Sequence, residues 1–320
     1  MRVLLHGLLL AVAVGGLSPA QADDFPSRPI RMIVGLPAGG GTDVQARLVA
    51  QRMTDNMKNT VFVENKPGGN FILAAKELAA APPDGHTLYF ISSSSLITQA
   101  IHPDYPMDNL KFTAVTEVST GPMILVARND LGVKTVGELI ALAKTKPGGI
   151  RFGMGGGSGS SMGLATALFK VTTGTDIGMV PYRGSAPALN DLLGGHIDVM
   201  FDAMPMMAVQ AKEGKVTPLA VTGQKRSAAL PDVGTMRDSG LTYEITAWYG
   251  ILAPPGTPQP IVQRLRDEVA RVIAPADVVS IMATQGMEPR GTQPADFAKY
   301  MASELTFYTK IAKDADIKPE

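Results

Sequence analysis

Short apolar runs alternate with amphipathic stretches in the first part of the chain. The runs at residues 31–35, 61–65 and 87–91 have strand length and are bounded by glycine, proline or polar residues. After residue 41, and again over 71–81, apolar residues recur at helical spacing, which predicts helices. Strands that alternate with helices are typical of a mainly parallel sheet.

The first predicted helix has apolar residues three or four positions apart. Its expected buried face consists of Val44, Leu48, Val49, Met53 and Met57. We expect Thr42 or Asp43 to cap this helix, because a short side-chain oxygen at that point can accept an amide hydrogen of the first turn. The whole unit is therefore predicted as strand, glycine loop and helix.

A second series of the same kind follows from residue 123. Apolar strand-like runs at 123–127, 150–154, 197–202 and 215–222 are separated by further helical patterns, and the glycine-rich loop 155–161 follows the second of them. This repetition predicts a second α/β lobe.

The C-terminal part predicts one more strand at 247–252 and two amphipathic helices. Because two helices are too few for a third core, we expect them to pack on the first lobe. The chain then crosses between lobes twice, which builds a hinge. The predicted divisions are 1–22 as a leader, 23–123 plus 246–320 as the first lobe, and 124–245 as the second.

The N-terminus has the layout of a secretory signal peptide. A positively charged start, Met1-Arg2, precedes an apolar run over residues 3–17 and an Ala-x-Ala site that ends at Ala22. The run is shorter than the roughly 20 residues of a spanning helix, so a retained anchor is the weaker interpretation. We expect cleavage after about Ala22 and a mature protein in the periplasm.

Composition narrows the classes of function. Lys plus Arg and Asp plus Glu number 29 each, so no net field favours nucleic acid or an anionic membrane. The chain has no cysteine, which excludes disulfides and thiolate chemistry. The four histidines are isolated in the sequence, so we expect no metal site. We also expect no cofactor and a monomeric protein.

Three polar loops are expected beyond the carboxyl ends of strands, where open α/β sheets bind their ligands. They cover residues 37–43, 92–95 and 155–161 and are rich in glycine and serine. Unpaired amides at a helix start, together with the positive end of the helix dipole, form an anion site. Loops of this kind in both predicted lobes favour a non-enzymatic receptor that closes on a small carboxylate.

Two charged residues are further candidates. Asp202 ends an apolar strand, where a carboxylate is costly unless it is paired, so we expect it to face the cleft. Arg183 can clamp a carboxylate with two hydrogen bonds, although a solvated surface arginine is an equal alternative. Met204, Met206 and Met207 are expected as core residues.

An enzymatic alternative rests on Ser161. The segment 159–163 matches the Gly-x-Ser-x-Gly pattern of a nucleophile elbow, and His196 is the histidine that follows it. That histidine is close for the usual order of serine, acid and histidine, so a serine hydrolase is the minor interpretation. The dinucleotide-binding and Walker phosphate-loop patterns are both incomplete.

A set of motifs in fixed order resembles a known family. They are FPSRPI (25–30), PAGGGTD (37–43), VENKPG (63–68), PDG (83–85), PYRGSAPA (181–188), DLLGG (191–195), FD (201–202) and LAPPGTP (252–258). The mature chain thereby resembles the Bug receptors, the periplasmic substrate-binding subunits of tripartite tricarboxylate transporters. The resemblance implies a type II periplasmic-binding-protein fold with two crossing strands as its hinge, and membrane permease subunits as partners.

The resemblance also implies how the solute is held. Backbone amides and ordered waters of residues 36–42 and 155–161 would bind one carboxylate, and Ser92–Ser94 with Asp202 would select the distal group. The candidate ligand-binding residues are Leu36, Ala38, Gly39, Gly40, Thr42, Asp43, Ser92, Ser93, Ser94, Gly157, Ser158, Ser160, Arg183 and Asp202. Family members often have Phe at the position of Leu36, Lys at Arg183 and Asn at Ala203. A sensing receptor without a transport partner has the same signature and stays open.

Overall fold

The computed structural model describes residues 25–317. In its first part, strands and helices alternate as the sequence predicts. The elements are β1 (Ile30–Val34), α1 (Gly41–Met57), β2 (Val61–Asn65), α2 (Ile72–Ala80), β3 (Thr87–Ser92), α3 (Ser93–Ile101) and β4 (Thr113–Ala127). The predicted leader, residues 1–22, lies outside the described residues.

The second series and the C-terminal elements continue the alternation. They are α4 (Val136–Thr145), β5 (Arg151–Gly155), α5 (Ser161–Thr173), β6 (Gly178–Tyr182), α6 (Ser185–Leu193), β7 (Val199–Ala203), α7 (Met204–Lys212), β8 (Thr217–Val221), β9 (Thr246–Ala253), α8 (Gln259–Ile273), α9 (Ala276–Thr284), β10 (Glu288–Pro289) and α10 (Pro294–Asp314). Among the described residues, no helix is both long enough and apolar enough to span a membrane.

The strands form one continuous, curled path in the order β2-β1-β3-β9-β4-β7-β5-β6, with β8 and β10 also paired to β4. Two parallel trios, β2-β1-β3 and β6-β5-β7, occupy its ends. The strands between them pair antiparallel. The α/β class with a parallel sheet in each lobe is therefore confirmed, and the antiparallel centre is added by long-range pairing.

β4 connects the two lobes because its two halves pair with strands of different lobes. Its first half, up to Pro122, pairs with β9, and its second half, from Met123, pairs with β7 and β8. The return crossing lies beside it. Met123 N donates to Thr222 Oγ1 at 2.9 Å, and the same hydroxyl donates to Ile245 O. Thr222 thus joins the two crossings. The exact residue boundaries of the lobes stay a prediction.

Trp248 lies in β9 opposite Thr120 of β4 and is fully buried. Its indole Nε1 donates to Glu304 and to Tyr308, both on α10, at 3.1 Å each. The C-terminal helix α10 therefore packs on the strands of the first lobe beside the crossing, as expected for the C-terminal helices.

The buried face of α1 differs from the predicted one. Val44 is 37% exposed, whereas Gln45 and Ala46 are buried. The Gln45 side chain donates to the side chain of Gln285, which directly follows α9, and accepts from Ser119 of β4 at 3.2 Å. A polar residue thus occupies the core side of the helix, because both the nitrogen and the oxygen of its amide group have hydrogen-bond partners there.

Two further expectations need correction. The cap of α1 is Gly40, with no side-chain hydrogen bond to the first turn, so neither Thr42 nor Asp43 caps the helix. Residues 93–95, expected as a polar loop, are the first turn of α3, which the local pattern did not reveal.

The expectation for the methionines is confirmed, because Met204 and Met207 are fully buried and Met206 packs against the same cluster.

Candidate functional site

A cavity of about 760 Å³ lies between the two lobes. Its size is in the range of small-molecule sites in proteins. The starts of six helices contribute to its lining, namely α1, α2 and α3 of the first lobe and α5, α6 and α7 of the second. This arrangement follows from the parallel trios, because helices that follow parallel strands begin at the same edge of the sheet.

Side chains behind the first loop hold it in place. The Asp43 carboxylate accepts from Gly39 N at 3.0 Å, and Asn65 Nδ2 donates both to Asp43 at 2.9 Å and to Leu36 O at 3.0 Å. Burial alone would raise the pKa of Asp43, but Arg47 and these two donors outweigh it and lower the pKa. The ionised Asp43 therefore fixes the backbone of the loop from outside the cavity.

Most of the helix starts at the cavity have no side-chain cap. No side chain caps the first turns of α1, α2, α3, α6 or α7. In α5, by contrast, Ser160 Oγ accepts from Gly163 N at 3.0 Å. Each uncapped start has amides that no helical carbonyl can accept, and it carries a partial positive charge of about half a unit. The cavity is thus surrounded by uncharged groups that favour an anion.

Serine side chains connect the lobes at the cavity. Ser161 Oγ at the start of α5 lies 3.0 Å from Ser93 Oγ and 2.9 Å from Ser94 Oγ at the start of α3. Thr98 Oγ1, one turn further along α3, donates to Gly159 O at 2.8 Å. These contacts hold the two glycine- and serine-rich segments together, so the structure has the lobes in direct contact.

Asp202, next to the end of β7, is the buried charged group of the cavity. It is 2% exposed, Oδ1 accepts from Ala203 N at 2.7 Å, and Oδ2 has no hydrogen-bond partner among the described residues. Desolvation raises its pKa to about 7, although the nearby Ser185 hydroxyl and the hydrogen bond from Ala203 N act in the opposite direction. The sequence-based expectation that Asp202 faces the cleft agrees with its place in the lining.

Basic side chains are sparse at this site. Among the described residues that line the cavity, Arg183 is the one basic side chain. It is exposed and forms no ion pair with another described residue. The described residues contain no group of three or more His, Cys, Asp or Glu suited to a metal ion. Electrostatic attraction for an anion therefore comes mainly from backbone dipoles.

The structure brings most of the predicted site residues to one cavity. Those that line it are Leu36, Ala38, Gly40, Thr42, Ser92, Ser93, Ser94, Gly157, Ser160, Arg183 and Asp202. Three predicted residues are not part of the lining, namely the exposed Gly39 and the buried Asp43 and Ser158. The Asp43 carboxylate is hydrogen-bonded to the loop backbone, as described above, and the buried Ser158 hydroxyl has no hydrogen-bond partner in the part of the chain that the structure describes.

Several lining residues were missed from the sequence. The loop 67–70 and Phe71 follow β2, and the rule about carboxyl ends of strands could have identified them. Tyr249 also lines the cavity, but it comes from the crossing strand β9. No local signal identifies Tyr249, because its position depends on antiparallel pairing with β3 and β4.

Ser161 lacks the surroundings of a nucleophile. Its hydroxyl is paired with two other serines, Ser93 and Ser94, and none of its hydrogen-bond partners within residues 25–317 is a base that could take a proton. His196 lies instead near Gly194, at the end of α6. The geometry at Ser161 is therefore that of a contact between lobes.

Comparisons with known proteins agree with this geometry. Residues 45–317 match the family described as tripartite tricarboxylate transporter family receptor. Protein BugT of Bordetella pertussis is 32% identical over 316 residues, which cover 98% of this chain and 96% of BugT.

Two solved structures from Rhodopseudomonas palustris have the same fold. Rpa4515 with adipate is 32% identical with a TM-score of 0.88, over 93% of this chain and 100% of that one. MatC (Rpa3494) with bound malate is 30% identical with a TM-score of 0.82, over 90% of this chain and 99% of that one. The two-lobed periplasmic-binding-protein fold is thereby confirmed. The chain belongs to the tripartite tricarboxylate transporter receptor family, whose members are periplasmic substrate-binding receptors and not enzymes.

Proposed function

We propose that the cavity captures a small carboxylate, either a di- or tricarboxylate or an aromatic acid, for delivery to a membrane permease. The observation that carries the proposal is the meeting of six helix starts, five of them without a side-chain cap, around one cavity with a single basic side chain in its lining. Amides at helix starts bind anions because both the hydrogen bonds and the dipole favour negative charge.

In this proposal, the two glycine-rich segments bind one carboxylate group of the solute. Residues of both segments, 36–42 and 155–161, line the cavity, and glycine allows a ligand to approach the backbone closely. Ser92, Ser93, Ser94 and Asp202 then contact the distal part of the solute. The relatives that hold adipate and malate support a solute with a second polar group.

Closure of the lobes completes the site. We propose that the first lobe comprises 23–123 plus 246–320 and the second 124–245, so that the joint lies where Thr222 connects the crossings. The serine contacts between α3 and α5 form only when the lobes meet. A solute that touches both lobes shifts the population toward the closed form by its differential affinity.

Export and delivery complete the proposed role. The predicted leader, residues 1–22, would carry the chain to the periplasm, and a receptor with no enzymatic chemistry would act there as a monomer beside a tripartite permease. Deletion of the receptor gene should abolish high-affinity uptake of its acid. Uptake that continues unchanged would instead identify a sensing receptor.

Isothermal titration with succinate, malate, adipate, citrate and benzoate tests the proposed ligand class. At least one acid should bind, and its methyl ester should bind at least tenfold more weakly, because an ester loses the charge that the amides stabilise. Equal affinity for acid and ester would contradict the proposal. Hydrolysis of an ester that depends on Ser161 would support an enzyme instead.

A further inference from the structure

Asp202 occupies an unusual position for a carboxyl group. It lies in β7 opposite Ile124 of β4, is almost completely buried, and lines the cavity. Its Oδ1 is satisfied by the amide of Ala203, whereas Oδ2 has no partner within the described chain. A buried polar atom without a partner costs free energy, so this oxygen calls for a ligand, a water or a proton.

The surroundings of Asp202 offer no cation to stabilise its charge. Among the described residues, the titratable side chains that line the cavity, apart from Asp202, are Tyr182, Arg183 and Tyr249. Arg183 is exposed at the rim and forms no ion pair with Asp202. The Tyr182 hydroxyl donates to Asp191, and burial raises the pKa of Tyr249, which stays neutral.

The elements packed against β7 are equally uncharged where they meet the cavity. β4 contributes Met123 to the lining, and β5 contributes Gly155. The starts of α5 and α6 contribute serine, methionine, alanine and proline, and α7 contributes its cap, Ala203. No charged side chain of these five elements, as far as the structure describes them, therefore compensates a negative charge on Asp202.

An anion that enters this cavity adds a second negative charge to the same enclosed volume. Like charges that share a poorly hydrated site cannot both stay ionised at little cost, and one of the two groups takes up a proton. Desolvation has already raised the pKa of Asp202 to about 7, so this carboxyl group is protonated more readily than an ordinary solute carboxylate. A neutral carboxyl group also has an O–H donor for an anionic acceptor.

We propose that Asp202 takes up one proton when the cavity receives a carboxylate and then donates a hydrogen bond to that solute. The inference rests on the proposed function, because it needs an anion in this cavity. It makes Asp202 a specificity-determining residue. Solutes with an acceptor at the distal position are favoured, and an ammonium group at that position would keep Asp202 ionised instead.

Linkage gives the sign of the pH dependence. Below the pKa of unliganded Asp202 the group is protonated in both states, and affinity does not depend on pH. Binding raises the pKa further, so affinity falls as pH rises between the free and the bound pKa, by up to about tenfold per pH unit. This region begins near pH 7.

The test is isothermal titration of the wild-type protein with the acid of the panel that binds most tightly, in two buffers of different ionisation enthalpy. The observed heats should show uptake of a fraction of a proton near pH 7.5, rising toward one above it. The dissociation constant should increase at least about tenfold between roughly pH 7 and pH 9. Asp202→Asn, which keeps a neutral donor but cannot ionise, should show no proton uptake and a dissociation constant that does not change between pH 6 and pH 9.

Asp232→Asn is the matched control, because Asp232 is exposed and lies outside the cavity lining; it should retain the pH dependence of wild type. An acid that binds with equal affinity across this range and without proton uptake would overturn the inference but leave the proposed function intact. If no acid of the panel binds at any pH, the proposed function fails and the inference fails with it. The wild-type heats decide the matter even if Asp202→Asn does not fold.

Discussion

Gly163→Ala tests how closely α5 packs on the loop that lines the cavity. Gly163 is the third residue of α5, and a Cβ there would lie 2.5 Å from Gly157 O, 2.5 Å from Ser158 O and 2.6 Å from Ser158 Cα. All three atoms belong to the backbone, so no change of rotamer can relieve the overlap. The loop itself must move away from the helix.

The expected change in the free energy of unfolding is the balance of helix propensity and overpacking. Alanine is favoured over glycine inside a helix by about 0.5–1 kcal/mol. Overpacking costs about 1–3 kcal/mol, and the upper part of that range applies where only backbone can yield. We therefore expect Gly163→Ala to lower the free energy of unfolding by about 1–2 kcal/mol, which lowers the thermal midpoint by roughly 2–8 °C. The displaced loop should also weaken binding of the acid at least tenfold.

Gly137→Ala in α4 is the matched control for scanning calorimetry and titration. Gly137 is exposed, and its added Cβ would have only Thr135 Oγ1, at 3.9 Å, within 4 Å. This variant should be as stable as wild type or more stable, by up to about 1 kcal/mol, with unchanged affinity. If Gly163→Ala matched it in both stability and binding, the described packing of α5 on the loop would be wrong.

Three further predictions concern Arg183, Asp43 and Gly85. Arg183→Gln should weaken acid binding only about two- to fivefold by titration, because an exposed ion pair contributes little, and complete loss would assign the anchoring to this side chain. Asp43→Asn should lower the free energy of unfolding, measured with urea, by about 1.5–3 kcal/mol, because it removes a charged hydrogen-bond acceptor. Since the pKa of Asp43 is lowered in the folded protein, the wild type should lose this stabilisation as the pH falls through that pKa, below about 4. The stability of the variant should not change in that range. Gly85→Ala should destabilise far more than Gly132→Ala: both have φ near +80°, but only Gly85 would place a Cβ 2.5 Å from Ile261 Cγ2.

Local patterns were sufficient for the features that depend on neighbouring residues. The apolar runs and glycine loops predicted the parallel trios and the place of the cavity, because helices that follow parallel strands begin at the same edge. Residues 37–43 and 155–161 were found for this reason. Asp202 was found because a carboxylate at the end of an apolar strand needs an explanation.

Features that depend on distant residues could not be read in this way. The antiparallel pairing of β9 with β3 and β4 places Tyr249 in the cavity, and nothing near Tyr249 in the sequence indicates that pairing. The core side of α1 includes Gln45, whose amide is paired with residues far along the chain. Ser93–Ile101 has a polar first turn that resembles a loop until α10 and α5 cover it.

A crystal structure of the protein with the bound acid tests most directly that backbone amides, and not a basic side chain, hold the solute. We expect carboxylate oxygens within about 3 Å of amide nitrogens of residues 36–42 and 155–161, directly or through one ordered water, with the Arg183 guanidinium outside that distance. A carboxylate held by Arg183 alone, or a solute bound away from both glycine-rich segments, would contradict this account.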